Sequence, residues 1–339
     1  MDDAELIARC AAVIDRPKVA PPDSFVLHAP LELLARVILL PRVPEPARMA
    51  ARARLQWVAD TYAAAGPATE APPPTLEHDM DDVVTSLAAA GHAPILWNLR
   101  PRVPHVPTTF GAGMVAQELG RHPDWTLTWP RVRRTGGRSS GDLGERLSAP
   151  PSPGDPGSDF IYPTMHLTER SGLAEKVLDE PLRGLTVDEA RRTLLRVAAQ
   201  SMLQDAPAAA PYGWTHCLTM PQAVLAAADH GADPDVVVAV AATYVLGFRA
   251  TQGRVALDPA WQPVASSAAS RVWAASHDDV PAIVDVLVSF AAVHEDAHVA
   301  KYTLACLDAA QADPDAARLF LAAAAHLHEW WRNHDARNP

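Results

Sequence analysis

The chain has 339 residues, of which 48% are hydrophobic and 20% charged, and a formal net charge of -11. That length can bury a large core, and the acidic balance excludes a nucleic-acid surface; the short segment from Arg131 to Arg138 does not reverse it. Apolar content dominated by alanine, with only 6% aromatic residues, favours helices over strands. The expected fold class is therefore all-α, a single large helical domain over residues 1–339 with long Pro/Gly-rich loops.

The 32 prolines cluster at 17–22, 41–46, 67–74, 101–107 and 150–163, and they divide the chain into blocks, since proline ends helices and extends the residue before it. In chain order the apolar periodicity predicts helices at 3–14, 29–39, 47–65, 79–90 and 110–119. His28-Ala-Pro and His92-Ala-Pro read as two similar turns, each placing a histidine just before a helical or apolar segment. Residues 134–158 are rich in Gly, Ser and Pro, so a flexible loop is expected, and either an active-site lid or plain disorder explains it.

Further helices are predicted at 187–203, 219–230, 234–249, 279–309 and 314–333. Thr186 ahead of Val187-Asp-Glu189 is an N-cap with an acidic first turn, and Asp313-Pro314-Asp315 pairs a capping Asp with Pro at the first helical position. Cys10, Cys217 and Cys306 are too few and too scattered for a disulfide framework, which fits a reducing cytoplasm. The start Met1-Asp-Asp-Ala-Glu lacks the basic and apolar regions of a signal peptide, and the apolar run from Val236 to Phe248 is too short to span a bilayer. No membrane partner is expected.

The most informative stretch is Val293-His-Glu-Asp-Ala-His-Val-Ala-Lys-Tyr302. On one helix His294, His298 and Lys301 would share a sector of roughly 60°. Two imidazoles at i and i+4 can hold one metal ion. The run His294-Glu295-Asp-Ala-His298 also fits His-Glu-x-x-His, the zinc-peptidase pattern in which the Glu is the general base. A third zinc ligand would come from Glu329 or His326. Lys301 on the same stripe opposes that reading, because an ammonium repels the ion. If its amine is carboxylated by carbon dioxide, however, Lys301 becomes an anionic oxygen ligand; otherwise it snorkels to solvent.

Dinucleotide, phosphate-loop and serine-hydrolase motifs are absent. A Cys217 thiol served by His216 is opposed by geometry, since adjacent residues on a helix point apart. His105, His122, His277 and His334 lie in polar or Pro-rich surroundings and read as superficial.

Taken together, His28 at an early helix, the turn Tyr212-Gly-Trp-Thr-His216, the run His298-Val-Ala-Lys301-Tyr-Thr-Leu-Ala-Cys306, then Asp313-Pro-Asp and Leu319-Phe-Leu-Ala-Ala-Ala form a series that resembles the questin oxidase-like family. The C-terminal region carries the likeness best, and residues 92–160 depart from it. The resemblance implies an all-helical non-heme iron oxygenase that uses dioxygen on an aromatic polyketide such as an anthraquinone, with ring opening as the outcome. It also implies a metal held by several histidines and a modified lysine, here His298 and Lys301.

The resulting expectation is an iron site built from His28, His166, His216, His298 and carboxylated Lys301, with His294 bound to the metal or next to it. His92 is the alternative to His166. Trp97, Tyr212 and Trp214 would wall a pocket for a small aromatic substrate, or else pack the core. The competing expectation is a zinc hydrolase using His294 and His298, with Glu295 as base.

Overall fold

The computed structural model describes residues 1–19, 24–70, 92–121, 143–158, 160–205 and 207–337. Among them the chain is all-α, as expected, with no sheet and one isolated antiparallel bridge between Lys18 and Ala68. The helices are α1 (Asp3–Ile14), α2 (Ser24–Leu39), α3 (Glu45–Ala64), α4 (Ala93–Leu99), α5 (Ala112–Arg121), α6 (Leu143–Ser148), α7 (Ile161–Arg170) and α8 (Leu173–Leu178). They continue with α9 (Val187–Gln204), α10 (Thr215–Ala226), α11 (Pro234–Gln252), α12 (Ala268–Ala274), α13 (Val280–Val293), α14 (Ala297–Ala312) and α15 (Ala317–Asp335). The helix expected at 79–90 lies outside the described residues, as does the loop segment 134–142.

The chain forms two compact units. The first comprises Met1–His78, Ile95–Asp124 and Pro281–Leu304; the second comprises Asp79–Pro94, Trp125–Val280 and Ala305–Pro339. In the first, α1, α2 and α3 pack on one another around Leu6, Ile7, Leu31, Leu34, Leu55 and Val58. α2 is buried over nearly its whole length and includes Pro30, so it starts several residues before the expected 29. Two charged residues, Glu32 and Arg36, are buried on this apolar helix.

In the second unit α11 is the central helix, packing against α7, α8, α9 and α10. Val237, Val238, Val240, Tyr244, Val245, Leu246 and Phe248 are all buried. A helix apolar on every side belongs inside, and each large apolar side chain buried here contributes about 1.5–3 kcal/mol. Asp233 caps α11 by accepting the Asp235 N–H at 2.8 Å, with Pro234 at the first position. α9 starts at the expected Thr186, and a full capping box forms: Thr186 Oγ1 accepts the Glu189 N–H while the Glu189 carboxylate accepts the Thr186 N–H. α15 packs on α9 and α12.

Among the described residues two helices are long and apolar enough to cross a membrane, Ser24–Arg42 and Pro234–Gln252, but 78% and 83% of their apolar windows are buried inside the protein.

Four sequence expectations are revised. Residues 143–148, inside the expected loop, form α6, because Leu143 and Leu147 are buried and Arg249 donates to the carbonyls of Leu147 and Ser148 at the helix end. α7 forms despite Pro163, which falls in its first turn, where the missing N–H has no intrahelical partner to lose. Asp313 does not cap α15: it heads a 3₁₀ turn, Pro314–Ala316, and its carboxylate pairs with Arg196. Finally, the helix expected at 279–309 is two helices, α13 and α14, separated at 294–296.

Candidate functional site

The break at 294–296 falls on the His-Glu-x-x-His run, so His294 and His298 do not share a helix and the expected single stripe does not form. Its cause is a buried ionic cluster in the first unit. Arg36 donates to Ala291 O at 2.7 Å and to His294 O at 2.5 Å, and Arg54 donates to Glu295 O at 2.5 Å. These carbonyls end α13, where a helix has no internal donors left and its dipole favours cations. Both arginines are held by one carboxylate: Glu32 Oε1 accepts from Arg36 Nε at 2.8 Å and from an Arg54 terminal nitrogen at 2.9 Å. All three side chains are buried. Arg54 also lies over the Trp57 ring, 3.8 Å from its centroid.

Beyond the break α14 begins again at Ala297. Asp296 stands just before it and accepts the His298 backbone N–H at 2.6 Å. The same Asp296 oxygen lies 2.9 Å from His298 Nδ1. Burial works to raise the Asp296 pKa, but the His298 hydrogen bond and the charges of His298 and Lys301 outweigh it and hold the carboxyl below its ordinary value.

The first unit brings together His28, His298 and Lys301, all buried. The His28 and His298 rings meet edge to face with centroids 4.7 Å apart, and Lys301 Nζ lies 3.2 Å from His28 Nδ1. Lys301 is thus buried with its amine inside, which answers the choice between burial and snorkelling. His294 is half-buried, its Nδ1 accepts the Asp296 N–H at 3.0 Å, and its ring packs near Phe290. Glu295 is exposed. Trp97 is half-buried on α4.

The other expected residues lie in the second unit. His216 is buried at the start of α10, its ring centroid 6.5 Å from that of His92 and 6.4 Å from that of Phe248. His166 is half-buried on α7 and stacks on Tyr162 at 5.6 Å. Trp214 is fully buried, with the Arg249 guanidinium 5.7 Å from its ring centroid, and Tyr212 faces Phe160 at 6.3 Å. Tyr212 and Trp214 belong to a π-helical turn, Ala210–Trp214, in which Thr215 Oγ1 donates to the carbonyls of Pro211 and Tyr212. Glu329 accepts the Ala268 N–H at 3.0 Å at the start of α12. Burial pushes the Cys217 thiol up to about 12, so it stays protonated and is no nucleophile.

Among the described residues no group of three or more His, Cys, Asp or Glu side chains is placed to hold a metal ion. The convergent donors of the first unit are two imidazoles and a lysine. An ammonium at 3.2 Å competes with an ion for His28 Nδ1, so this set fits a divalent metal only with Lys301 as a carbamate, which replaces a cation by an anionic oxygen donor. Sequence reasoning missed Glu32, Arg36, Arg54 and Asp296. The readable signal was His28, Glu32 and Arg36 at four-residue spacing, which places two charges and a histidine along one face of an otherwise apolar helix.

No family model, curated protein or solved structure matches the chain.

Proposed function

We propose that the protein is a metal-dependent oxygenase acting on an aromatic, anthraquinone-like substrate with dioxygen. The observation that supports this reading is the meeting of His28, His298 and Lys301 in one buried cluster, with His28 and Lys301 separated by 273 positions in sequence. These are among the positions that the likeness to questin oxidase-like proteins singles out.

In this reading His28, His298 and a carbamate of Lys301 would hold a non-heme iron ion. Bound iron supplies the one-electron chemistry that activates dioxygen, which side chains alone do not provide. The chain's own residues do the rest. Burial of the three donors excludes bulk water and strengthens every charge interaction among them. Asp296 accepts the His298 backbone N–H and faces its ring Nδ1, which holds the imidazole in place. The buried Glu32 cluster fixes the backbone from which His298 and Lys301 start.

The hydrolase alternative needs His294 and His298 on one helical face and Glu329 at the ion; the break at 294–296 and the bond from Ala268 N to Glu329 favour neither. The test is elemental analysis of protein purified without added metal, followed by oxygen-electrode assays with a hydroxyanthraquinone. Iron with substrate-dependent dioxygen uptake is expected. Zinc with peptide hydrolysis that is lost in Glu295→Ala would overturn the proposal.

A further inference from the structure

We infer that Asp296 is a positioning residue for His298, set in place by the Glu32–Arg36–Arg54 cluster, and that it fixes the hydrogen on His298 Nδ1 and offers Nε2 as the ligating nitrogen.

Three observations carry this. First, a single Asp296 oxygen faces both the backbone N–H and the ring Nδ1 of His298, at 2.6 and 2.9 Å. An oxygen already accepting the backbone N–H faces the ring nitrogen as an acceptor too, so Nδ1 carries the hydrogen, and in a neutral imidazole the lone pair is then on Nε2. The double contact also fixes the ring, because the backbone bond anchors the carboxylate and the carboxylate anchors the imidazole.

Second, Asp296 is in reach of His298 only because α13 stops where it does. An unbroken helix would give the N–H groups of residues 297 and 298 to the carbonyls of 293 and 294. Arg36 and Arg54 take the carbonyls of Ala291, His294 and Glu295 instead. Asp296 is thereby left at the head of a new helix, a position in which short acidic side chains bond to backbone N–H groups. The His294 Nδ1 acceptor for the Asp296 N–H closes the same turn.

Third, the cluster that sets the break shares a helix with His28. Glu32 and Arg36 follow His28 at intervals of four residues on α2, so α2 carries one member of the buried trio and, through Arg36, bonds the carbonyls just ahead of the segment that carries the other two. Buried ions of this kind are costly, and replacing them with apolar groups of similar volume often does no harm to stability. Geometry for the site accounts for their presence here better than stability does.

The use of Nε2 rests on the metal-centre reading given above; the lock on Nδ1 does not. The test uses the full chain with ¹⁵N-labelled histidine and no added metal, read by long-range ¹H–¹⁵N correlation and then by titration with Fe(II) in bicarbonate. Wild type is expected to show His298 protonated at Nδ1. Asp296→Asn is expected to lose that single tautomer and to bind Fe(II) about 10–100-fold more weakly, the range for removing a partner of a metal-bound histidine. Arg54→Lys keeps the charge but cannot bridge Glu32 and the Glu295 carbonyl, so it should shift the tautomer in the same direction with the protein folded. A wild-type His298 protonated at Nε2, or an unchanged tautomer in both variants, would overturn the inference. Failure of wild type to take up Fe(II) would overturn the metal reading alone, and the tautomer would still decide the role of Asp296.

Discussion

Lys301 Nζ lies 3.2 Å from His28 Nδ1 in the buried cluster of the first unit, so a lysine amine faces an imidazole nitrogen that could otherwise take a metal. In its charged form this amine can only donate. Carboxylation reverses the sign of the group and removes the competition. Protein equilibrated with bicarbonate and Fe(II) should therefore gain the mass of one carbon dioxide at Lys301 and bind iron more fully than protein held free of carbon dioxide. Lys301→Ala should show neither effect, as read by intact-protein mass spectrometry and elemental analysis. Full metal content in Lys301→Ala would end the carbamate hypothesis.

Glu32 is the carboxylate that hydrogen-bonds both Arg36 and Arg54, whose guanidinium groups are buried, while the Asp296 charge also acts on Arg36. Glu32→Ala removes the hydrogen-bonded counter-ion from two buried cations, a change that costs about 3–5 kcal/mol. Glu32→Gln keeps the shape and one acceptor and should cost less. Chemical denaturation of both variants checks the order. The loss of a buried pair should appear as a lower midpoint with an unchanged slope.

Much of the fold was legible because it follows from local rules. α1, α9 and α11 start at Asp2, Thr186 and Asp233, each a side-chain cap visible in the sequence. What was not legible depends on distant partners. The break in the predicted 279–309 helix is made by Arg36 and Arg54, more than 200 residues earlier, and no periodicity within 279–309 encodes it. The same holds for α6, whose end is satisfied by Arg249, and for Asp313, which turns from capping to pair with Arg196. In the candidate site the sequence spacing joins His298 and Lys301 as a helical pair, and the resemblance points to His28. The intermediary Asp296 was overlooked because, on an unbroken helix, it would have pointed away from His298.

Arg249 and Asp205 form a fully buried ion pair in the second unit. Arg249 also donates to the carbonyls of Leu147, Ser148 and Val255, and Asp205 accepts the N–H groups of Arg254 and Val255. The pair thus ties α6 and the segment after α11 to the end of α9. Asp205→Ala strands a buried guanidinium and should cost about 3–5 kcal/mol. Hydrogen exchange should rise at 147–148 and 253–255 beyond what the global loss explains; uniform exchange across the unit would show that the pair does not hold these segments.

Gly213 lies in the π-helical turn between Tyr212 and Trp214, and a Cβ there would collide with the Gln252 side-chain amide. Gly231, by contrast, has open space around it but a φ of 98°, which other residues rarely adopt. Gly213→Ala should cost about 1–3 kcal/mol through overpacking, and Gln252→Ala should relieve part of that cost in the double variant. Gly231→Ala should cost about 1 kcal/mol through backbone strain that Gln252→Ala does not relieve. Thermal melts of the three single and two double variants separate a packing constraint from a backbone constraint.

Arg196 meets Asp313 in a two-point contact, Nε to Oδ2 and a terminal nitrogen to Oδ1, both at 2.7 Å, which joins α9 to the turn before α15. The Arg196 hydrogen bonds, working against burial, hold the Asp313 carboxyl below its ordinary value. With the folded pKa below the unfolded one, the unfolded chain binds more protons between the two values, so stability rises with pH across that window. The contribution is complete above the ordinary aspartate value of 3.8 and is lost as pH falls through the folded value. Arg196 is 40% exposed, so after allowance for solvent screening the pair is worth about 1 kcal/mol or less. Asp313→Asn should lower the melting temperature slightly at neutral pH and converge with wild type under acid conditions. A variant whose deficit persists unchanged below the window would place the contribution of Asp313 in its backbone turn and leave its charge without a role.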